Sequence, residues 1–259
     1  MSSVAKVAMV LKSFVAGRTE LSVTDAVALL GLPKSSASRM LKAMADAGLL
    51  EHAPGSRRYR IGPLAIGLGR TGRVQSRLVD RLHAMLAEVV RSCGHTGYVS
   101  VRDGLEIFGL RMIEGSHDLR VVREPGIRMP AVATAVGRAL LARFDDVALA
   151  ALLPDQLDRP SPSAPASRAE AIARIAHARA QGWAEAEDEG HRGIGTIAVA
   201  VTDPVSGEFA SACITYPAAI VTPAERARIA SLLTDGARRV GADLGDPVWL
   251  AAPRRRRIA

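Results

Sequence analysis

Between Ser22 and Ile61 the chain carries a succession of local signals that leaves few folds open. Ser22 is a good N-cap, and Asp25 stands three residues later in the capping-box position. Val23, Ala26, Val27, Leu29 and Leu30 then give an apolar helical face that stops at Gly31, which suits the left-handed end of a helix. Leu32-Pro33 follow, and proline can begin a helix but not continue one. From Pro33 to Ala47, Ala37, Met40, Leu41 and Met44 form a buried stripe, while Lys34, Ser35, Ser38, Arg39 and Lys42 fall mostly toward solvent. Gly48 ends that segment. Ahead of both, Val4, Val7, Leu11 and Phe14 predict a helix from about Ser3 to Ala16. Two short helices across a glycine turn are a helix-turn-helix pattern.

The second of these helices has what a major-groove reader needs. Short side chains such as Ser35, Ser36 and Ser38 allow close approach, Arg39 can fork onto guanine, and the helix N-terminus with Lys34 favours phosphate, as does Lys42. Leu49 to Ile61 reads as two short strands around Pro54-Gly55-Ser56, a basic hairpin that makes the wing of a winged helix. Arg57 and Arg58 lie at its tip with Tyr59 beside them, placed to meet phosphates or the minor groove.

Charge distribution agrees. The formal net charge is +8, and it is concentrated at the two ends. Residues 1–70 hold ten basic side chains against four acidic ones (Glu20, Asp25, Asp46, Glu51), and Arg254–Arg257 adds a basic tail. The stretch between is nearly neutral. A basic head on a neutral body calls for a polyanion such as double-stranded DNA.

With 259 residues, 48% of them hydrophobic, the chain is large enough for one large or two modest domains. It has no apolar run long enough to span a membrane and lacks a secretion-signal block, so no membrane partner is expected. Two cysteines, Cys93 and Cys213, are too few for a disulfide scaffold or structural zinc cluster, and a reduced, cytoplasmic setting is expected.

Beyond the head, Val74, Leu78, Leu82, Met85, Leu86 and Val89 predict a helix over Arg70–Ser92 that links two domains. Thr96–Val101, Leu105–Met112 and Leu119–Arg123 read as strands separated by hairpin signals. Helices are expected over Thr134–Phe144, Asp145–Leu153, Arg168–Gln181 and Pro223–Leu244. Two further strands, Thr196–Val201 and Glu208–Thr215, flank a turn at Asp203–Gly207. The mixture is an α+β fold, an antiparallel sheet flanked by helices. The expected organisation is a winged helix-turn-helix over 1–68, a linker helix over 69–92, a second domain over 93–248 and a basic tail over 249–259.

No enzyme signature is present: there is no Gly-x-Ser-x-Gly elbow, Walker loop or His-Glu-x-x-His. Gly190 to Gly195 precedes a strand and has the wrong spacing for a dinucleotide fingerprint, so it reads as turn or pocket wall. The six histidines are scattered. No catalytic residue, metal site or cofactor is expected.

The residues from Leu32 to Leu41, Gly48-Leu49-Leu50 and Tyr59–Gly62 resemble the IclR family of bacterial transcriptional regulators. So do Arg120-Val121, Gly126–Ala139, Glu187–Gly193 and Ile197–Val201, so the likeness runs from about residue 4 to 245. The resemblance implies that the second domain is a GAF-like effector-binding domain and that the protein forms homodimers or homotetramers. It also implies a repressor or activator of a catabolic operon, tuned by a small organic or aromatic acid. Carried over residue by residue, it implies a carboxylate site at the backbone of Ala135 and Val136 with Glu187, Thr196, Cys213 and Thr215 on the wall. This chain has Glu187 where the family commonly has Asp, Thr196 where Cys is common, and Cys213 where Ser is common.

Two other readings compete with a ligand-responsive regulator. One is a sequence-indifferent architectural DNA binder, kept in play by the Arg254–Arg257 tail. The other is a small-molecule enzyme with a basic accessory domain.

Overall fold

A computed structural model describes residues 1–15, 17–71, 76–123 and 125–251. The chain divides into two compact units, Met1–Gln75 and Ser76–Ala259. The tail Arg254–Arg257 lies outside the described residues.

In the first unit, helices α1 (Ser3–Val15), α2 (Val23–Leu30) and α3 (Lys34–Asp46) precede a hairpin of β1 (Leu50–His52) and β2 (Tyr59–Ile61), and α4 (Pro63–Thr71) follows. The Ser22 hydroxyl accepts from the Asp25 N–H at 3.1 Å, and Asp25 Oδ2 accepts from the Ser22 N–H at 2.8 Å, so both halves of the capping box form. Gly31 closes α2 at φ +63, where a side chain would be strained. Ala37, Leu41 and Met44 bury the inner stripe of α3 against Val10, Ala26, Leu30 and Leu50. Leu21 exchanges two backbone hydrogen bonds of 2.8 Å with Tyr59, adding a one-residue rung that ties the wing to the start of α2.

The second unit is built on a six-stranded sheet. Its strands are β3 (Thr96–Asp103), β4 (Glu106–Ile113), β5 (Arg128–Pro130), β6 (Ala184–Glu187), β7 (Ile194–Asp203) and β8 (Glu208–Pro217). They lie in the order β5-β4-β3-β8-β7-β6, every neighbour antiparallel. Helices α5 (Arg77–Cys93), α9 (Pro223–Leu244) and α10 (Pro247–Leu250) cover one face. Helices α6 (Ala135–Leu141), α7 (Asp146–Leu152) and α8 (Arg168–Gln181) cover the other.

Period-two alternation makes the two faces unequal. Val99, Ile197, Val199, Val201, Ile214 and Tyr216 point toward α5 and α9 and fill that side. The opposite face of the same strands carries Ser100, Thr196, Ala198, Ala200, Ser211, Cys213 and Thr215. These short side chains let α6 sit close to β7 but leave space unfilled near its start.

Some expectations are corrected. Leu119–Arg123 is not a strand: its backbone answers to Tyr98, whose hydroxyl donates to Val121 O at 3.2 Å and accepts the Arg123 N–H at 2.7 Å. The partner strand of β4 on that side is β5 instead. The single helix expected over Arg70–Ser92 is also replaced. Pro63–Thr71 is already helical, and α5 starts afresh at Arg77, where the Ser76 hydroxyl accepts the Val79 N–H. Residues 72–75 of that expectation lie outside the described residues. Helix α5 belongs to the second unit: Leu78, Leu82, Met85, Leu86 and Val89 pack into its core.

Candidate functional site: a basic helix face and a sheet cavity

The outward face of α3 is opposite its buried stripe, and Ser35, Arg39 and Lys42 stand on it, exposed. Lys34 is exposed at the first turn, while Ser36 and Ser38 are half-buried at the flanks. Among the described residues Lys34, Arg39 and Lys42 make no ion pair. Asp46, the helix's acidic residue, ends the same face, so the positive part is its first three turns.

The wing separates its two arginines. Arg57 is exposed and makes no ion pair among the described residues. Arg58 is held to Glu20 and Asp25, each at 3.2 Å, which turns it back onto the α2 cap. Tyr59 is not available to a partner. It is 6% exposed, packed in the core with its ring 4.5 Å from that of His52, because it faces the Leu21 rung rather than solvent. Tyr59 is thus a core residue rather than one of the expected DNA contacts. Hairpin alternation puts Arg60 outward instead, and it pairs with Glu51 at 2.7 Å.

The space left under α6 is a cavity of about 100 Å³. Ala135, Val136, Thr196, Cys213 and Thr215, all expected on its wall, come together there. The Thr196 and Thr215 hydroxyls lie 3.3 Å apart, and Cys213 Sγ is 4.0 Å from Thr215 Oγ1. Burial pushes the Cys213 thiol up to about 12. The Thr134 hydroxyl caps α6 by accepting the Gly137 N–H at 3.0 Å.

Glu187 is not in the wall. The strand places Ala186 there, and one residue on means the other face. Glu187 instead pairs with Arg226 on α9. The rest of the acidic turn is structural too. Asp188 adopts φ +60 and its carboxylate accepts the Gly193 N–H, closing the loop on itself. Glu189 is buried, paired with Arg138 of α6 at 2.5 Å and with Arg174 of α8 at 2.8 Å. Arg138 also donates to the carbonyls of Val132 and Glu185.

Tyr98, Ser100, Arg123 and His191 join the wall without having been expected from sequence. Burial first, then the Arg123 charge, pushes the His191 imidazole below its ordinary value. Among the described residues, no group of three or more His, Cys, Asp or Glu is arranged to hold a metal, and no helix is long and apolar enough to cross a membrane.

Comparison with known proteins covers both units. Residues 74–242 match the family model of the bacterial transcriptional regulator IclR C-terminal region, and residues 3–54 match the IclR helix-turn-helix domain. The HTH-type transcriptional regulator XynR of Escherichia coli is 29% identical over 248 residues, covering 95% of this chain and 98% of that protein. The glycerol operon regulatory protein of Streptomyces griseus is 27% identical, covering 94% and 96%. Among solved structures, an IclR transcriptional regulator from Alicyclobacillus acidocaldarius superposes with a TM-score of 0.80 at 23% identity, covering 93% and 97%. An IclR homologue from Microbacterium hydrocarbonoxydans, crystallised with 4-hydroxybenzoate, gives 0.79 at 21% identity, covering 94% and 99%.

Proposed function

This chain belongs to the IclR family of bacterial transcriptional regulators, and from that premise we propose that it is a cytoplasmic repressor or activator of a catabolic operon whose DNA affinity is set by a small organic or aromatic acid. The observation that carries the DNA half is the outward face of α3, where exposed Arg39 and Lys42 stand opposite the buried stripe with no ion pair among the described residues. A free guanidinium on a groove-sized helix can fork onto guanine, and Lys34 and Arg57 can take phosphates. A homodimer, or a pair of them, sets two such helices about 34 Å apart on a roughly palindromic operator. The observation that supports the ligand half is an apolar cavity with a few convergent hydroxyls. The relative holding 4-hydroxybenzoate supports an acid as the effector class.

Fluorescence anisotropy tests both halves. The DNA upstream of the gene and random DNA are titrated across a salt series, with and without a panel of aliphatic and aromatic carboxylates. If about six phosphates are neutralised, affinity falls roughly a thousandfold between 50 and 200 mM salt. An effector shifts specific affinity about 5- to 150-fold. Equal affinity for random DNA replaces the regulator by an architectural binder, and specific binding indifferent to every acid removes the acid from the proposal.

A further inference from the structure

The loop after β4 carries into the cavity a cation that the described residues do not neutralise. Arg123 lines the cavity and is half-buried; its guanidinium donates to Met129 Sδ at 3.7 Å and makes no ion pair among the described residues. Other guanidinium groups set into this unit are answered by carboxylates: Arg138 by Glu189, Arg143 by Asp246, Arg226 by Glu187. Leaving one without a counter-ion forfeits a strong charge-assisted bond that an anion from solution would restore.

The position of Arg123 is built. Its own N–H donates to Tyr98 Oη at 2.7 Å, and that hydroxyl donates to Val121 O at 3.2 Å, so one side chain rising from β3 holds two backbone groups of the loop. His191 is the other basic side chain in the wall. Burial and Arg123 keep it below its ordinary pKa, so at neutral pH it supplies a hydrogen bond rather than a second charge. Ile107, Met129, Val136 and Ile194 give the cavity its apolar lining.

We propose that Arg123 determines specificity in the effector cavity, binding the carboxylate of a compact monoacid whose apolar body lies against Ile107, Met129, Val136 and Ile194. The inference rests on the effector reading above and adds charge, valence and size to it. One guanidinium answers one carboxylate. A second carboxylate on the ligand would find hydroxyls but, among the described residues, no second permanent cation to answer its charge, which is costly. An apolar cavity of about 150 Å³ admits benzene, so a space of about 100 Å³ suits a compact ligand of about one ring.

Isothermal titration of the full chain with benzoate, its neutral counterpart benzamide, and phthalate tests this. Wild type should bind benzoate at least about tenfold more tightly than either of the others. Arg123→Gln should weaken benzoate about 10- to 100-fold, the loss of a charge-assisted bond, weaken benzamide much less, and so erase the preference for the acid. Arg123→Lys should recover part of it. Tryptophan fluorescence melts confirm that each variant is folded. Benzoate binding that survives Arg123→Gln, or wild type that prefers the amide or the diacid, overturns the assignment. Wild type that binds none of the three overturns it as well. Failure of the effector reading itself has a separate signature, the absence of any acid effect on DNA affinity in the anisotropy experiment.

Discussion

Replacing Glu189 by alanine strands a guanidinium inside the second unit. Arg138 is 2% exposed and Glu189 7%, and their two contacts are 2.5 and 2.9 Å. Without the carboxylate, Arg138 keeps, among the described residues, only the carbonyls of Val132 and Glu185. Breaking a buried pair from one side costs about 3–5 kcal/mol, because a charge is left uncompensated. Arg174, a third exposed and also paired with Glu170, adds little to that loss. In a unit of this size each kcal/mol moves Tm by about 2–4 °C, so a loss of about 4 kcal/mol lowers it by roughly 8–16 °C. Both tryptophans, Trp183 and Trp249, lie in this unit, so a melt followed by tryptophan fluorescence reports it alone. Arg138→Ala should cost less, since Glu189 retains Arg174. The double variant Arg138→Met/Glu189→Leu should melt above Glu189→Ala, because an apolar replacement leaves no charge behind. A Glu189→Ala melt within about 3 °C of wild type, or a double variant below both singles, would refute the reasoning.

Arg39→Ala should weaken operator binding by about 1–3 kcal/mol and relax sequence preference, whereas Arg57→Ala should weaken all sequences alike and lower the salt slope by about 1; anisotropy on paired DNAs separates them. Gly137→Ala places a Cβ 2.1 Å from Ala131 O and 2.3 Å from Ala131 Cα, both backbone, and should cost about 1–3 kcal/mol in the same fluorescence melt. The Asp25 carboxyl, held down first by the Ser22 N–H, then by the Ser22 hydroxyl and more weakly by Arg18 and Arg58, should titrate below its ordinary 3.8 by carboxyl-carbon NMR, and Ser22→Ala should raise it. Because its folded pKa is depressed, its contribution is complete above the unfolded value and vanishes as pH falls through the folded one, so the first unit should loosen only in acid. The buried Cys213 thiol, pushed up to about 12, should resist iodoacetamide at pH 8 in the native protein while half-buried Cys93, raised less, labels first; mass spectrometry of the alkylated peptides reads the order.

The elements legible in the sequence were those with local punctuation. Helix α2 lies between Ser22 and Gly31, α8 between Ser167 and Gly182, and α9 between Thr222 and Gly245, each capped at both ends by its own neighbours. Strand β6 is not legible in the sequence, because Ala-Glu-Ala-Glu has no strand preference of its own; pairing with β7 makes it one. Leu119–Arg123 misled for the opposite reason, since β-branched residues make a strand only where a neighbour is free, and β4 is already paired with β5. At the cavity, Ala135, Val136, Thr196, Cys213 and Thr215 were reached through family likeness, not through spacing. Glu187 failed by a single residue of strand alternation. Arg123 had no sequence signal, because its place depends on the path of a loop that Tyr98 fixes from another strand. Tyr59 lies in the core although basic residues flank it, because proximity to them does not say which side of a hairpin a ring takes.

The six-stranded sheet also constrains how copies of this unit can meet. Its margins are β5, three residues long and ending in Pro130, and β6, four residues long. Unpaired backbone at a sheet margin is what lets one chain template another, and short margins with a residue lacking an N–H offer few such groups. A second copy of this unit would therefore find few backbone groups at either margin to pair with. At both margins of this sheet, strand addition from another chain has only three or four residues on which to begin.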